Sequence, residues 1–313
     1  MVRRVVAALV VLGVFALIGD GAHAITRSNP ARHHPQAAGA NRARATTTTV
    51  APPPSEPGGG QSLFPSHRLV SFFGAPATPA LGVLGDAPPE ALWPRLVAAA
   101  APFGTPGSVV VPSYELIAFT AQRSPGPQGS YSAELPAAQI DSYVQVVHSH
   151  GGMLILDIQP GRGSLLTDAQ ALERWLVQPD VALALDPEWE LAAGQRPDQQ
   201  IGHTTGSEIN AVSAWLEQLT MTHHLPQKLL IVHQFRASMV EDKAAVVAPP
   251  DLAIVFNMDG FGGTANKLSV YQLLTSDHRW ALGYKLFYDR DRPLQTPSQI
   301  LALVPPPQVV EYE

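Results

Sequence analysis

The chain has 313 residues, 45% of them hydrophobic, a formal charge of −6 and no cysteine. The lack of thiols excludes structural disulfides, a lipidated N-terminal cysteine, thiolate metal sites and a cysteine nucleophile, so any folded part is held by its apolar core. From His67 onward 14 Lys and Arg face 24 Asp and Glu. That acidic balance argues against nucleic acid or an anionic membrane surface as a partner.

The N-terminus reads Arg3-Arg4, then an apolar run from Val5 to about Gly19, then Ala22-His23-Ala24. This is the three-part pattern of a secretory signal peptide over residues 1–24, with cleavage after Ala24. The apolar run is short for a spanning helix, and no second run long enough to span a bilayer follows. The expected location is therefore secreted or cell-envelope associated. Residues 25–66 are rich in Pro, Thr, Gly and Ala with few large apolar side chains, a composition that predicts a disordered linker.

The third segment, 67–313, is long enough for one large domain. Short apolar runs occur at 68–73, 108–116, 152–158, 181–186, 228–235, 252–259, 280–288 and 308–312. Near-continuous apolar runs of this length predict strands of a parallel sheet covered on both faces. Between them lie helical patterns. Ile140, Val144 and Val147 share a face after Pro136 and stop at Gly151-Gly152. Thr205 and Glu208 predict a capping box ahead of Ile209, Val212, Leu216 and Leu219. Weaker patterns cover 89–101, 167–177, 236–245, 264–275 and 298–303. This alternation predicts an α/β fold, a (β/α)8 TIM-type barrel in a single domain. The rival doubly wound sheet lacks its glycine-rich phosphate loop.

In such a barrel the C-terminal strand ends build the site. Polar residues gather there: Tyr114 and Glu115, Asp157, Asp186 and Glu188, His233 and Gln234, Asn257 and Asp259, Lys285 and Tyr288. In LALDPEW, Asp186 and Glu188 are two apart, so an extended chain projects both to one face. Close carboxylates repel, which raises the pKa of one and leaves it a proton donor beside an ionised partner. Glycoside hydrolysis needs such a pair. Trp189, Tyr114, Tyr284 and Phe261 are candidates for stacking on sugar rings. Arg162 in QPGRG is a candidate carboxylate clamp. His148, His150, His223 and His224 sit at helix ends and read as dipole contacts.

The Asp186-Pro187-Glu188 strand end resembles the D-x-E of chitinase-type and lysozyme-type muramidase barrels, with Ala184 where the chitinase motif has a preceding aspartate. The resemblance implies Glu188 as general acid and Asp186 as its neighbour. The blocks LDIQPGR, LALDPEW, LPQKLLIVHQF, MDGFG and GYKLFYD resemble a group of exported bacterial barrel proteins, often lipoproteins, which implies the fold and export but no reaction.

The reading that follows is an exported glycoside-hydrolase-like barrel acting on a cell-envelope or extracellular polysaccharide, or another small polar ligand, as a monomer without cofactor or metal. Glu188 and Asp186, with Asp157 or Asp259 as base or nucleophile, are the catalytic candidates. Trp189, Tyr114, Glu115, Arg162, His233, Gln234, Lys285 and Tyr288 are the binding candidates. Two alternatives stay open: a metal-dependent hydrolase on His233, Asp157, Glu188 and Asp259, and a non-catalytic carbohydrate- or surface-binding barrel.

Overall fold

The computed structural model describes residues 53–126 and 128–313. The expected signal peptide and most of the expected linker lie outside them. Among the described residues no helix is long and apolar enough to cross a membrane.

Eight parallel strands carry the fold: β1 (His67–Gly74), β2 (Val109–Ala121), β3 (Met153–Ile158), β4 (Val181–Leu185), β5 (Lys228–Gln234), β6 (Leu252–Met258), β7 (Ala281–Leu286) and β8 (Val309–Tyr312). Each pairs with its sequence neighbours, and β1 pairs with both β8 and β2, which closes the sheet into a barrel. Helices α1 (Pro89–Ala100), α2 (Ala137–His150), α3 (Leu165–Ala171), α4 (Glu173–Leu176), α5 (Gly206–Thr222), α6 (Thr264–Thr275) and α7 (Pro297–Leu301) fill the connections. This is the (β/α)8 barrel expected from the alternation of runs.

Local chemistry sets the helix ends. Thr205 and Glu208 form the reciprocal capping box of α5. Gly151 ends α2 at φ 69, a left-handed conformation that glycine adopts at little cost. The helix expected at 236–245 does not form. In its place are 3-10 turns at Ala237–Met239 and Lys243–Ala245, and a two-residue strand, Val240–Glu241, paired with Thr204–Thr205. The cause is tertiary: Asn210 of α5 holds Ala245 O and Val247 N, while Val240 and Val246 are buried.

Because strand side chains alternate, each barrel strand sends one set inward and one outward. The outward set packs with the helices in the large core that holds Tyr114, Leu183, Leu230, Val232 and Phe256. The inward set begins apolar: Leu69, Val111, Met153, Ile155, Ala182, Ala184, Leu229, Ile231, Ala253, Val255 and Val309 fill the N-terminal half of the barrel. Leu63 belongs to this inner cluster and is fully buried, and Glu56 is 2% exposed. Residues 53–66, expected in the linker, are thus part of the folded unit, which runs from Pro53. Their few apolar groups find burial only because the barrel offers its floor.

Candidate active site

Continuing the inward alternation by two residues turns the barrel interior polar. Ser71 follows Leu69, Glu115 follows Ser113, Asp157 follows Ile155, Asp186 follows Ala184, His233 follows Ile231, Asn257 and Asp259 follow Val255, Lys285 follows Gly283 and Glu311 follows Val309. All are nearly or fully buried; Glu115, Asp157, His233, Asn257 and Glu311 are 0% exposed. At one inward position the usual side chain would not fit. A Cβ on Gly283 would lie 2.2 Å from Oδ1 of Asn257, its register partner on the adjacent strand, so glycine there admits the asparagine side chain.

The centre is a network around His233. Its Nε2 lies 2.7 Å from Glu115 Oε1 and 4.0 Å from Asp157 Oδ1. Its Nδ1 lies 3.2 Å from Asn257 Nδ2 and 3.4 Å from Asp259 Oδ2. Asn257 also donates to Glu311 Oε2 at 2.7 Å. Lys285 Nζ sits 3.4 Å from Asp259 and 3.0 Å from Glu313, with the Phe73 ring 3.2 Å away as a cation–π partner. Asp186 accepts from Gln159 Nε2 at 3.4 Å.

Electrostatics follow from crowding acids in a buried space. Burial pushes Glu115 up to about 8, although a hydrogen bond from Glu311 partly opposes it. Burial, reinforced by neighbouring carboxylates, holds Asp157, Asp186 and Glu311 well above the usual carboxylate range. Asp259 is raised by burial but drawn back by Lys285 and His233. Burial lowers His233 and favours neutral imidazole. It also works against charged Lys285, yet Asp259, Glu313, Glu311 and Glu115 outweigh it and keep the ammonium well above its ordinary value.

Nearer the opening, Asp186, Glu188 and Asp259 each offer an oxygen within 4.8 Å of the others, and Glu188 is only half-buried. The pair in LALDPEW therefore converges, though not by strand alternation. Pro187–Trp189 is a 3-10 turn with proline in its first turn, so one tight turn brings Glu188 back over Asp186. Trp189 is half-buried, Tyr288 is 40% exposed and stacks on Tyr312, and Phe261 is 43% exposed.

Three sequence candidates face elsewhere. Tyr114 points out of the barrel, donating to Pro89 O and packing edge-on against Trp93 and Tyr143. Tyr284 also faces outward, against Tyr271 of α6, and bonds Gln295. Gln234 lies on the outer face of β5, donating to Arg236 O and accepting from Lys243. Each adjoins an inward residue, so strand alternation forces it outward. Arg162 joins two loops, donating to Gln195 O and stacking on Tyr131, and clamps none of the central carboxylates. Glu311, Glu313 and Phe73 were missed. Glu311 was signalled by the same inward alternation in VVEY, and Phe73 by the alternation that runs through Leu69 and Ser71 in β1.

No protein-family model matches the chain, and no curated protein sequence matches it. Among solved structures it is similar to XEG5A, a GH5 xyloglucan-specific endo-beta-1,4-glucanase from a metagenomic library, in complex with cellotriose. That similarity has 11% identity and a TM-score of 0.41, covering 74% of this chain and 79% of the other. The class of this chain is set by its own topology: a closed parallel (β/α)8 barrel with an acidic centre.

Proposed function

We propose that this barrel is an exported glycoside hydrolase acting on a cell-envelope or extracellular polysaccharide. The observation that carries the reading is the convergence of Asp186, Glu188 and Asp259 oxygens within 4.8 Å of one another at the strand ends. Carboxyl groups about 5–5.5 Å apart suit a retaining mechanism, and the inverting class needs about 6.5–9.5 Å for an intervening water.

In this reading Glu188, the most accessible of the three, protonates the leaving glycosidic oxygen. Asp259, whose burial-raised pKa Lys285 and His233 draw back, attacks the sugar carbon from the other side as the carboxylate. Glu188 then deprotonates the water that releases the sugar. Asp186, whose pKa burial and its acidic neighbours raise well above the usual range, adds no second negative charge. Asp157 is fully buried and gives way to Asp259 as nucleophile. Trp189, Phe261 and Tyr288 offer the faces for sugar stacking.

Screening the purified chain against peptidoglycan, chitin-like and α- and β-glucan substrates, with and without chelator, tests this. Hydrolysis that survives chelation and disappears in Glu188→Gln supports it. Loss of activity on chelation would favour a metal-dependent hydrolase, and glycan binding without turnover a binding barrel.

A further inference from the structure

Deeper than those three carboxylates, the barrel has a second group of ligating atoms. Oxygens of Glu115 and Glu311 and a ring nitrogen of His233 all lie within 4.8 Å of one another, on three side chains that are 0% exposed. Asp157 on β3, also 0% exposed, stands beside this group, its Oδ1 4.0 Å from His233 Nε2. Neither Asp157 oxygen has a side-chain hydrogen-bond partner among the described residues, and beyond the hydrogen bond that Glu311 gives Glu115 nothing pairs Glu115 Oε2 or Glu311 Oε1. Clustered carboxylates in a buried interior are costly without a counter-charge. The nearest ammonium, Lys285, is turned to Asp259 and Glu313.

We infer that the barrel centre binds one divalent first-row metal ion, Zn2+ or Mn2+, on His233 Nε2 and the carboxylates of Glu115, Asp157 and Glu311. One imidazole nitrogen with carboxylate oxygens suits these ions better than Mg2+ or Ca2+, which prefer oxygen alone. The orientation of the ring agrees. Nε2 faces Glu115 and Asp157, while Nδ1 lies 3.2 Å from Asn257 Nδ2 and 3.4 Å from Asp259 Oδ2, so an ion on Nε2 would pass the ring proton to Nδ1, with Asp259 as its acceptor in place of the Asn257 contact. A carboxylate on the far nitrogen is the outer contact that orients a metal-bound histidine and fixes its tautomer. The ion takes the place of the protons that the buried acids otherwise retain, and its binding releases them. No ligand is exposed, so the ion is structural and enters with folding. The inference is independent of the glycosidase reading.

The test uses the full chain, purified without a metal-affinity step. Elemental analysis should find close to one equivalent of Zn or Mn per chain. Protein unfolded with EDTA, freed of chelator and refolded should melt about 5–10 °C higher with Zn2+ or Mn2+ at a hundredfold excess over Kd than without. Mg2+ should leave the melting temperature unchanged. Asp157→Asn should weaken Zn2+ binding at least tenfold, while Glu188→Gln keeps full occupancy. Should Asp157→Asn fail to fold, the wild-type metal content and refolding series decide alone. Only trace metal, with refolding indifferent to Zn2+ and Mn2+, overturns the inference and leaves shared protons as the stabilising device. Loss of the ion in Glu188→Gln overturns the assignment as well, because the ion would then sit on the outer carboxylates.

Discussion

Gly283→Ala probes how tightly the acidic centre is built. The added Cβ would stand 2.2 Å from Asn257 Oδ1, 2.8 Å from its Cγ and 3.1 Å from its Cβ, so the asparagine must move. Asn257 bonds Glu311 at 2.7 Å and lies 3.2 Å from His233 Nδ1, and both partners are fully buried. Leaving a buried polar group unpaired costs about 1–3 kcal/mol, and overpacking a filled interior about 1–3 kcal/mol more. With some relaxation the substitution should cost about 3–5 kcal/mol, which lowers Tm by about 6–15 °C in a domain of this size. Urea and thermal unfolding of Gly283→Ala, Asn257→Ala and the double variant form a cycle. If the glycine matters only through the asparagine, the double variant is no less stable than Asn257→Ala. A Gly283→Ala protein within about 0.5 kcal/mol of wild type, or strict additivity in the cycle, would refute the packing described.

Glu188→Gln should lower kcat by roughly a hundredfold to ten-thousandfold with ligand affinity and folding retained, because the amide keeps the shape but has no proton to donate; kinetics and calorimetric binding on one preparation check it. Leu63→Ala should destabilise the barrel by about 2–5 kcal/mol, since it empties a fully buried site in the floor; an unchanged urea midpoint would mean that residues 53–66 are not docked. Glu56 is raised to about 8 by burial, against the pull of Lys228. The native state therefore binds more protons than the unfolded state between about pH 4.5 and 8, and the contribution of Glu56 to stability is lost as pH rises through that window. Glu56→Gln should accordingly flatten the fall in Tm from pH 5 to pH 8, and melting curves across that range would expose an unaltered slope.

The strands were legible because fully covered parallel strands are continuous apolar runs, and a run such as KLLIVHQF needs no partner to be recognised. The end of each run where polar residues collect was legible for the same reason: Asp157, Asp186, His233, Asp259 and Lys285 interrupt apolar alternation at the C-terminal side. Alternation also held the information that Tyr114 and Gln234 face outward, since each adjoins Glu115 or His233, and two neighbours in a strand cannot share a face. Tertiary structure alone decided the rest. Residues 236–245 carry helical spacing, yet Val240–Glu241 pairs with Thr204–Thr205 instead, and Asn210 of α5 anchors the chain at Ala245 and Val247. Leu63 and Glu56 sit among Pro and Gly, and their burial exists only because a closed barrel has a floor to cover. Alternation turns Glu311 and Phe73 inward, but they meet the residues of the other strands only because β1 pairs with both β8 and β2. Which carboxylates meet, and how close, depends on that closure and on the strand stagger, and neither is a property of any one stretch of sequence.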